Sequence, residues 1–312
     1  MKQIASTILM IRPASFGYNA ETAASNVFQG SVSMSEHQVQ VKAVEEFDQF
    51  VDTLRAHNIE VLVIEDTPYP VKPDAVFPNN WFCTLQDGTV ATFPMQAVNR
   101  RIEVRSDLIQ TLKDNYIITN TEDWTSYDAE NTFLEGTGSM IIDHENKLIY
   151  ACLSPRTSKS LLQQFAQSHG YTAITFHSTD ERGIEVYHTN VIMHVGADYA
   201  VICLESIKDE TERQQVIDAL ADTNHHIIEV SMEQVRHYAG NMLQVKSKDN
   251  ILYTILSQQA FDSLSQQQKQ QLQAHTHLLP VNITTIETVG GGSVRCMMAE
   301  IFLNLKTGAL HI

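Results

Sequence analysis

Cys296 closes the segment Gly290-Gly291-Gly292-Ser293-Val294-Arg295-Cys296, the stretch of this chain best suited to chemistry. Residues without a Cβ let the backbone approach a ligand closely. The following run, 297–302, is expected to open a helix, and a cysteine near a helix N-terminus is favoured as a thiolate. The same segment reads equally as a turn with a buried cysteine. Cys83, Cys152 and Cys203 lie in strand-like runs among Phe, Leu, Ile and Ala, where a cysteine serves as a small core residue. No two of the four cysteines form a C-x-x-C pair, so their spacing offers neither a zinc site nor a redox motif.

A nucleophilic thiol needs a group to take its proton and to protonate the departing atom. Tyr187-His188-Thr189-Asn190 offers an imidazole at the start of a strand-like run. A single histidine among thirteen is ordinarily structural, so His188 is selected by its place in a repeat. Glu135, in Leu134-Glu135-Gly136-Thr137-Gly138, holds the equivalent place in another repeat, and Phe77-Pro78-Asn79-Asn80-Trp81 holds it one repeat earlier. Three polar points and a cysteine from distant parts of the chain would then converge on one site.

The elements that must bring them together recur in a fixed order. Strand-like runs come in pairs, and each pair is followed by a helical run and one more strand. The pairs are 76–85 with 89–95, 133–143 with 147–153, 186–194 with 199–205, and 242–246 with 251–256. The helices are 102–113, 158–169, 210–221 and 258–274, and the closing strands are 116–119, 171–176, 226–230 and 278–282. Asp87-Gly88 marks the first hairpin turn. The helix near 36–57, the strands 7–12 and 60–64, and the C-terminal 300–305 supply a fifth unit joined through the termini. Hairpins returning roughly every 50–55 residues suit a ring of repeats. The expected architecture is an α/β ring of five ββαβ units occupying residues 1–312 as one domain.

Bulk properties narrow the function classes. Of 312 residues, 43% are hydrophobic and 19% charged, an ordinary globular composition. A net charge of −16 argues against nucleic-acid binding and fits a neutral or cationic small substrate. Met1-Lys2-Gln3 runs straight into a strand-like stretch without a leader pattern, and no apolar run approaches a membrane span. A cytoplasmic protein with reduced thiols is expected.

Four segments resemble the signatures of the guanidino-group-modifying superfamily, the penteins. They are Pro73-Asp74-Ala75-Val76-Phe77, Leu134-Glu135-Gly136, Tyr187-His188-Thr189-Asn190 and Gly290 to Cys296, in that order over nearly the whole chain. The superfamily includes arginine deiminases, dimethylarginine hydrolases and amidinotransferases. The opening Ile11-Arg12-Pro13-Ala14-Ser15-Phe16-Gly17-Tyr18-Asn19, with Asn26, Phe28 and Gln29, is more similar still to its CtlX-type branch, which is associated with citrulline ureidase activity.

The resemblance implies a five-bladed α/β propeller with a Cys-His-Glu site that uses no metal or organic cofactor. Cys296 would be the nucleophile, His188 the general acid/base, and Glu135 the group holding His188 or the substrate nitrogens. Asp74 would be a substrate-side carboxylate. Arg156 and Arg100 match arginines that bind the amino-acid carboxylate in dimethylarginine hydrolases. Asn79 and Asn80 stand where those hydrolases carry Glu-Asp, and Asn190 where arginine deiminases carry Asp. Carboxylates suit a cationic guanidinium, whereas amides also offer the donors a neutral ureido oxygen requires.

These expectations describe a hydrolase of a free amino acid with a ureido or guanidino end, citrulline ahead of arginine. Two other readings stand beside it. An amidinotransferase would pass the same intermediate to an amine, and a non-catalytic scaffold would use the ring for binding alone. No nucleic-acid or membrane partner is expected. Each ring would enclose its own site, so the chain can work alone or as a homo-oligomer.

Overall fold

The computed structural model describes residues 3–23 and 26–308. Five three-stranded sheets repeat one topology. In each, the middle strand is antiparallel to the first and parallel to the third, and helix crosses over between the last two. The sheets are Phe82–Thr84, Thr89–Thr92 and Asn120–Asp123; Ile141–Asp143, Leu148–Cys152 and Thr172–Phe176; Met193–Val195, Tyr199–Ile202 and His226–Glu229; and Leu243–Lys246, Leu252–Ser257 and His277–Val281. The fifth draws on both ends of the chain. Thr7–Arg12 pairs antiparallel with Ala299–Glu300 and parallel with Glu60–Glu65. Contacts pass from each unit to the next, and Lys246 N donates to Ala5 O across the closing seam, so the units form a ring.

The crossover helices follow from local sequence. Ser35 and Gln38 make a reciprocal capping box at the start of Glu36–Ala56. Val39, Ala43, Phe47, Phe50, Val51 and Leu54 form its buried stripe. Phe47 and Phe50 are fully enclosed, and burial of each is worth about 1.5–3 kcal/mol. Among the described residues, no helix is long and apolar enough to cross a membrane.

Several expected elements are corrected. The runs 76–85, 133–143 and 186–194 do not begin as strands. Each opens with a single helical turn, Pro78–Asn80, Gly136–Ser139 or Thr189–Val191, and becomes a strand only near its end. These runs are buried on all sides, so alternation could not distinguish turn from strand. The segment after Cys296 is not a helix: Val294–Met297 is one turn, and Met298 extends into Ala299–Glu300 because that edge completes the fifth sheet. Tyr116–Ile117 pairs instead with Asn304–Leu305, while Asn120–Asp123 takes the parallel place beside Thr89–Thr92. The helix expected over 258–274 breaks into Gln258–Ser263 and Gln266–Gln273, because Ser265 and Gln268 form a fresh capping box.

The single turns position the site. The Gly136–Ser139 turn packs against Pro78–Asn80 and Thr189–Val191, and Val294–Met297 packs against Pro78–Asn80. Residues at the starts of four units are thereby gathered at one end of the ring.

Candidate active site

Cys296, His188, Arg100, Arg156, Asp74 and Asn80 line one small cavity of about 20 Å³. That is room for about one water molecule. Glu135 lies just behind the wall, where His188 Nε2 donates to its Oε2 at 2.7 Å. The other carboxylate oxygen accepts from Gln96 N at 2.9 Å, and Arg156 Nη1 is 3.7 Å from Oε2. Burial alone would raise the Glu135 carboxyl. The charge of Arg156, the His188 hydrogen bond and Arg100 outweigh it and hold the group at about 2. Burial lowers His188, partly offset by Glu135, so its neutral imidazole is favoured. With Nε2–H engaged by Glu135, the lone pair is on Nδ1. Gly138 permits this packing, since a Cβ there would fall 2.4 Å from Asn80 Nδ2 and 2.9 Å from His188 Nδ1.

The thiol is held by two amides. Asn190 Nδ2 and Asn241 Nδ2 each donate to Cys296 Sγ at 3.4 Å. Asn241 is oriented by Asn190 O at 2.9 Å, and its Oδ1 accepts from Arg295 N at 3.0 Å. Asn190 therefore meets the Cys296 sulfur rather than standing only as a substrate-side group. Asn241 was not anticipated. Its one local signal was its place directly after Gly240 and two residues before the first strand of its unit. The glycine segment works differently from expectation: only Gly291 takes a left-handed φ, 66°, while Gly290 and Gly292 press against the Phe77 ring.

The remaining polar residues divide. Asp74 Oδ2 accepts from Asn19 Nδ2 at 2.7 Å, and its buried Oδ1 has no hydrogen-bond partner. Burial raises the Asp74 carboxyl against the pull of Arg100 and Asn19. Arg100 is heavily engaged: two donors go to Glu103, one to Asn80 Oδ1 and one to Phe77 O. Arg156 stacks over the Tyr187 ring at 4.7 Å and donates to Thr22 O. Asn80 lines the cavity and its buried Nδ2 has no hydrogen-bond partner, whereas Asn79 lies outside the wall with its amide buried and unpaired.

Residues from the N-terminal part of the chain border the cavity. Thr22 and Asn26 contribute to its wall, Asn26 Nδ2 donates to Gly291 O at 3.2 Å, and Gln29 Nε2 donates to Val289 O at 3.3 Å.

Thiol reactivity gives a direct check. Burial drives Cys83 far up and raises Cys152 and Cys203 to about 12, which leaves them protonated and inert. Cys296 alone faces the cavity among the four. Brief iodoacetamide treatment followed by peptide mapping should label Cys296 first. Labelling of any other cysteine ahead of it would contradict the site.

The sequence profile described as N,N dimethylarginine dimethylhydrolase, eukaryotic, matches residues 12–303. No curated protein matches the chain in sequence. Several solved structures share its fold. The apo structure of ArgZ, an arginine dihydrolase from the ornithine-ammonia cycle in cyanobacteria, superposes with a TM-score of 0.73 at 18% identity and covers 94% of this chain. The match spans only 40% of full-length ArgZ. The product-bound N-terminal domain of ArgZ gives 0.73 at 18% identity over 96% of this chain and 97% of that domain. A dimethylarginine dimethylaminohydrolase adduct with S-methyl-L-thiocitrulline gives 0.62 at 13% identity, covering 96% of this chain and 100% of that one. Identities this low establish the shared pentein fold, and the profile match over nearly the whole chain places it in the N,N-dimethylarginine dimethylhydrolase family.

Proposed function

We propose that this chain is a cysteine-dependent hydrolase acting on the ureido or guanidino carbon of a free amino acid. The observation that carries the reading is the cavity that Cys296 and His188 share, with His188 held at 2.7 Å by an ionised Glu135. His188 takes the thiol proton, and the Cys296 thiolate adds to the electrophilic carbon. His188 returns the proton to the departing nitrogen, and water then attacks the S-linked carbon to free the thiol. Asn190 and Asn241 hold the sulfur through both additions. Arg156 would receive the α-carboxylate, while the engaged donors of Arg100 suit it to bracing Asn80 and Glu103.

Citrulline is placed ahead of arginine. The unpaired amide donor of Asn80 at the cavity wall suits a neutral ureido oxygen. Arginine is the second reading, because Asp74 and Glu135 leave carboxylates close to the same space. Purified enzyme given each amino acid separately distinguishes them. Citrulline and water should yield ornithine, ammonia and carbon dioxide. Efficient turnover of arginine with citrulline inert would defeat the neutral-substrate argument while leaving the hydrolase intact.

A further inference from the structure

Glu287 is a buried acid that the chemistry above does not use. It lies in the Thr284–Gly290 helix, 1% exposed and outside the cavity wall. Its two carboxylate oxygens take different partners: Ser293 Oγ donates to one at 2.5 Å, and Gln259 Nε2 donates to the other at 2.5 Å. Its backbone carbonyl accepts from Gly291 N and from Tyr238 Oη, each at 2.9 Å. Ser293 opens the turn that carries the nucleophile, and its carbonyl accepts from Cys296 N at 2.9 Å. Glu46 fixes the other end of the helix, accepting from Thr285 N at 2.8 Å and Ile286 N at 3.0 Å.

One residue thus grips the glycine segment at two points, by main chain at Gly291 and by side chain at Ser293. Its side-chain partners, Ser293, Ser257 and Gln259, are all neutral, so the carboxyl receives no paired cation in return for its burial, which raises it to about 7. An apolar residue would fill the space at lower cost but would leave Ser293 Oγ without its acceptor.

We propose that Glu287 is a positioning residue for Cys296: through Ser293 it fixes the turn that aims the thiol at the cavity. This rests on the reading of Cys296 as the nucleophile. Glutamine at this position retains an acceptor for Ser293 and so preserves the function, whereas alanine does not.

The test compares Glu287→Ala, Glu287→Gln and Ser293→Ala by the rate of iodoacetamide alkylation at Cys296 and by kcat and KM on citrulline and arginine. Thermal unfolding of each variant identifies any that fails to fold. Glu287→Ala and Ser293→Ala should each slow alkylation and lower kcat by about tenfold or more, as small displacements of a reacting group do, with KM changed by less than about threefold. Glu287→Gln should stay within about threefold of the wild type, and the double alanine variant should be no worse than Glu287→Ala alone, because that substitution already cuts the contact to Ser293. Should Glu287→Ala not fold, Ser293→Ala and Glu287→Gln decide the matter. Wild-type alkylation and kcat in Ser293→Ala, or a Glu287→Gln variant as impaired as Ser293→Ala, would overturn the proposal alone. A wild-type Cys296 no more reactive than Cys83 would overturn the nucleophile assignment and this proposal with it.

Discussion

Cys296→Ala is expected to abolish turnover, a loss on the order of 10⁴-fold or more, since removal of a nucleophile that acts as part of a unit leaves only binding and polarisation. The physical reason is that no other group at the cavity wall can replace the sulfur. The neighbouring amides of Asn190 and Asn241 donate hydrogen bonds and carry no nucleophilic lone pair toward the cavity. The imidazole of His188 is committed to Glu135 through Nε2. Intact-mass analysis of enzyme quenched during turnover should show a substrate-derived adduct on the wild type and none on the variant. The folded state should persist, because the substitution removes one atom from a residue already bordered by a cavity. A Cys296→Ala enzyme retaining a measurable covalent adduct, or more than about one hundredth of the wild-type rate, would reject covalent catalysis at this residue.

His188→Ala should cost roughly 100-fold or more in kcat, the usual weight of a positioned acid/base. Glu135→Gln should be nearly as damaging for a different reason. Glu135 accepts from Nε2–H and thereby keeps the lone pair on Nδ1. An amide at that place can present a donor to Nε2 instead, which favours the opposite tautomer and leaves no base on the other nitrogen. Glu135 itself, held at about 2, stays ionised across the working range and contributes no limb to the neutral part of the pH profile. The acid limb of kcat/KM then belongs to His188. Its pKa is lowered by burial, so the neutral base survives to lower pH than an ordinary imidazole would allow, and activity is lost only as pH falls through that lowered value. The measurement is kcat/KM from pH 4 to 9, with the inflection expected below the unperturbed histidine value of about 6.5. An inflection above that value, or full activity in Glu135→Gln, would contradict the pairing.

Local sequence determined much of this protein. The apolar stripe of the 36–56 helix and the recurring hairpins are encoded by neighbours a few residues apart, so the five ββαβ units could be read in order, whereas the capping box at Ser265 went unread and the helix over 258–274 was expected whole. Glu135, His188 and Cys296 stood out because each sits beside glycines or opens a unit, and three-dimensional proximity joined them afterwards. Tertiary structure alone decided the rest. Asn241 carries no charge, and it reaches the thiol across 55 residues only because its unit closes beside the fifth. Arg100 resembles a free carboxylate ligand until Glu103, one turn away, and Asn80 occupy its donors. The fate of 116–123 and of the residues after Cys296 depended on which sheet edge lacked a strand, and the single turns at 78–80, 136–139 and 189–191 were concealed by burial on every side. Periodicity records which face of an element is apolar. It does not record which distant edge or side chain will satisfy a buried hydrogen-bonding group, because that is set by the packing of units whose contacts lie far apart in the chain.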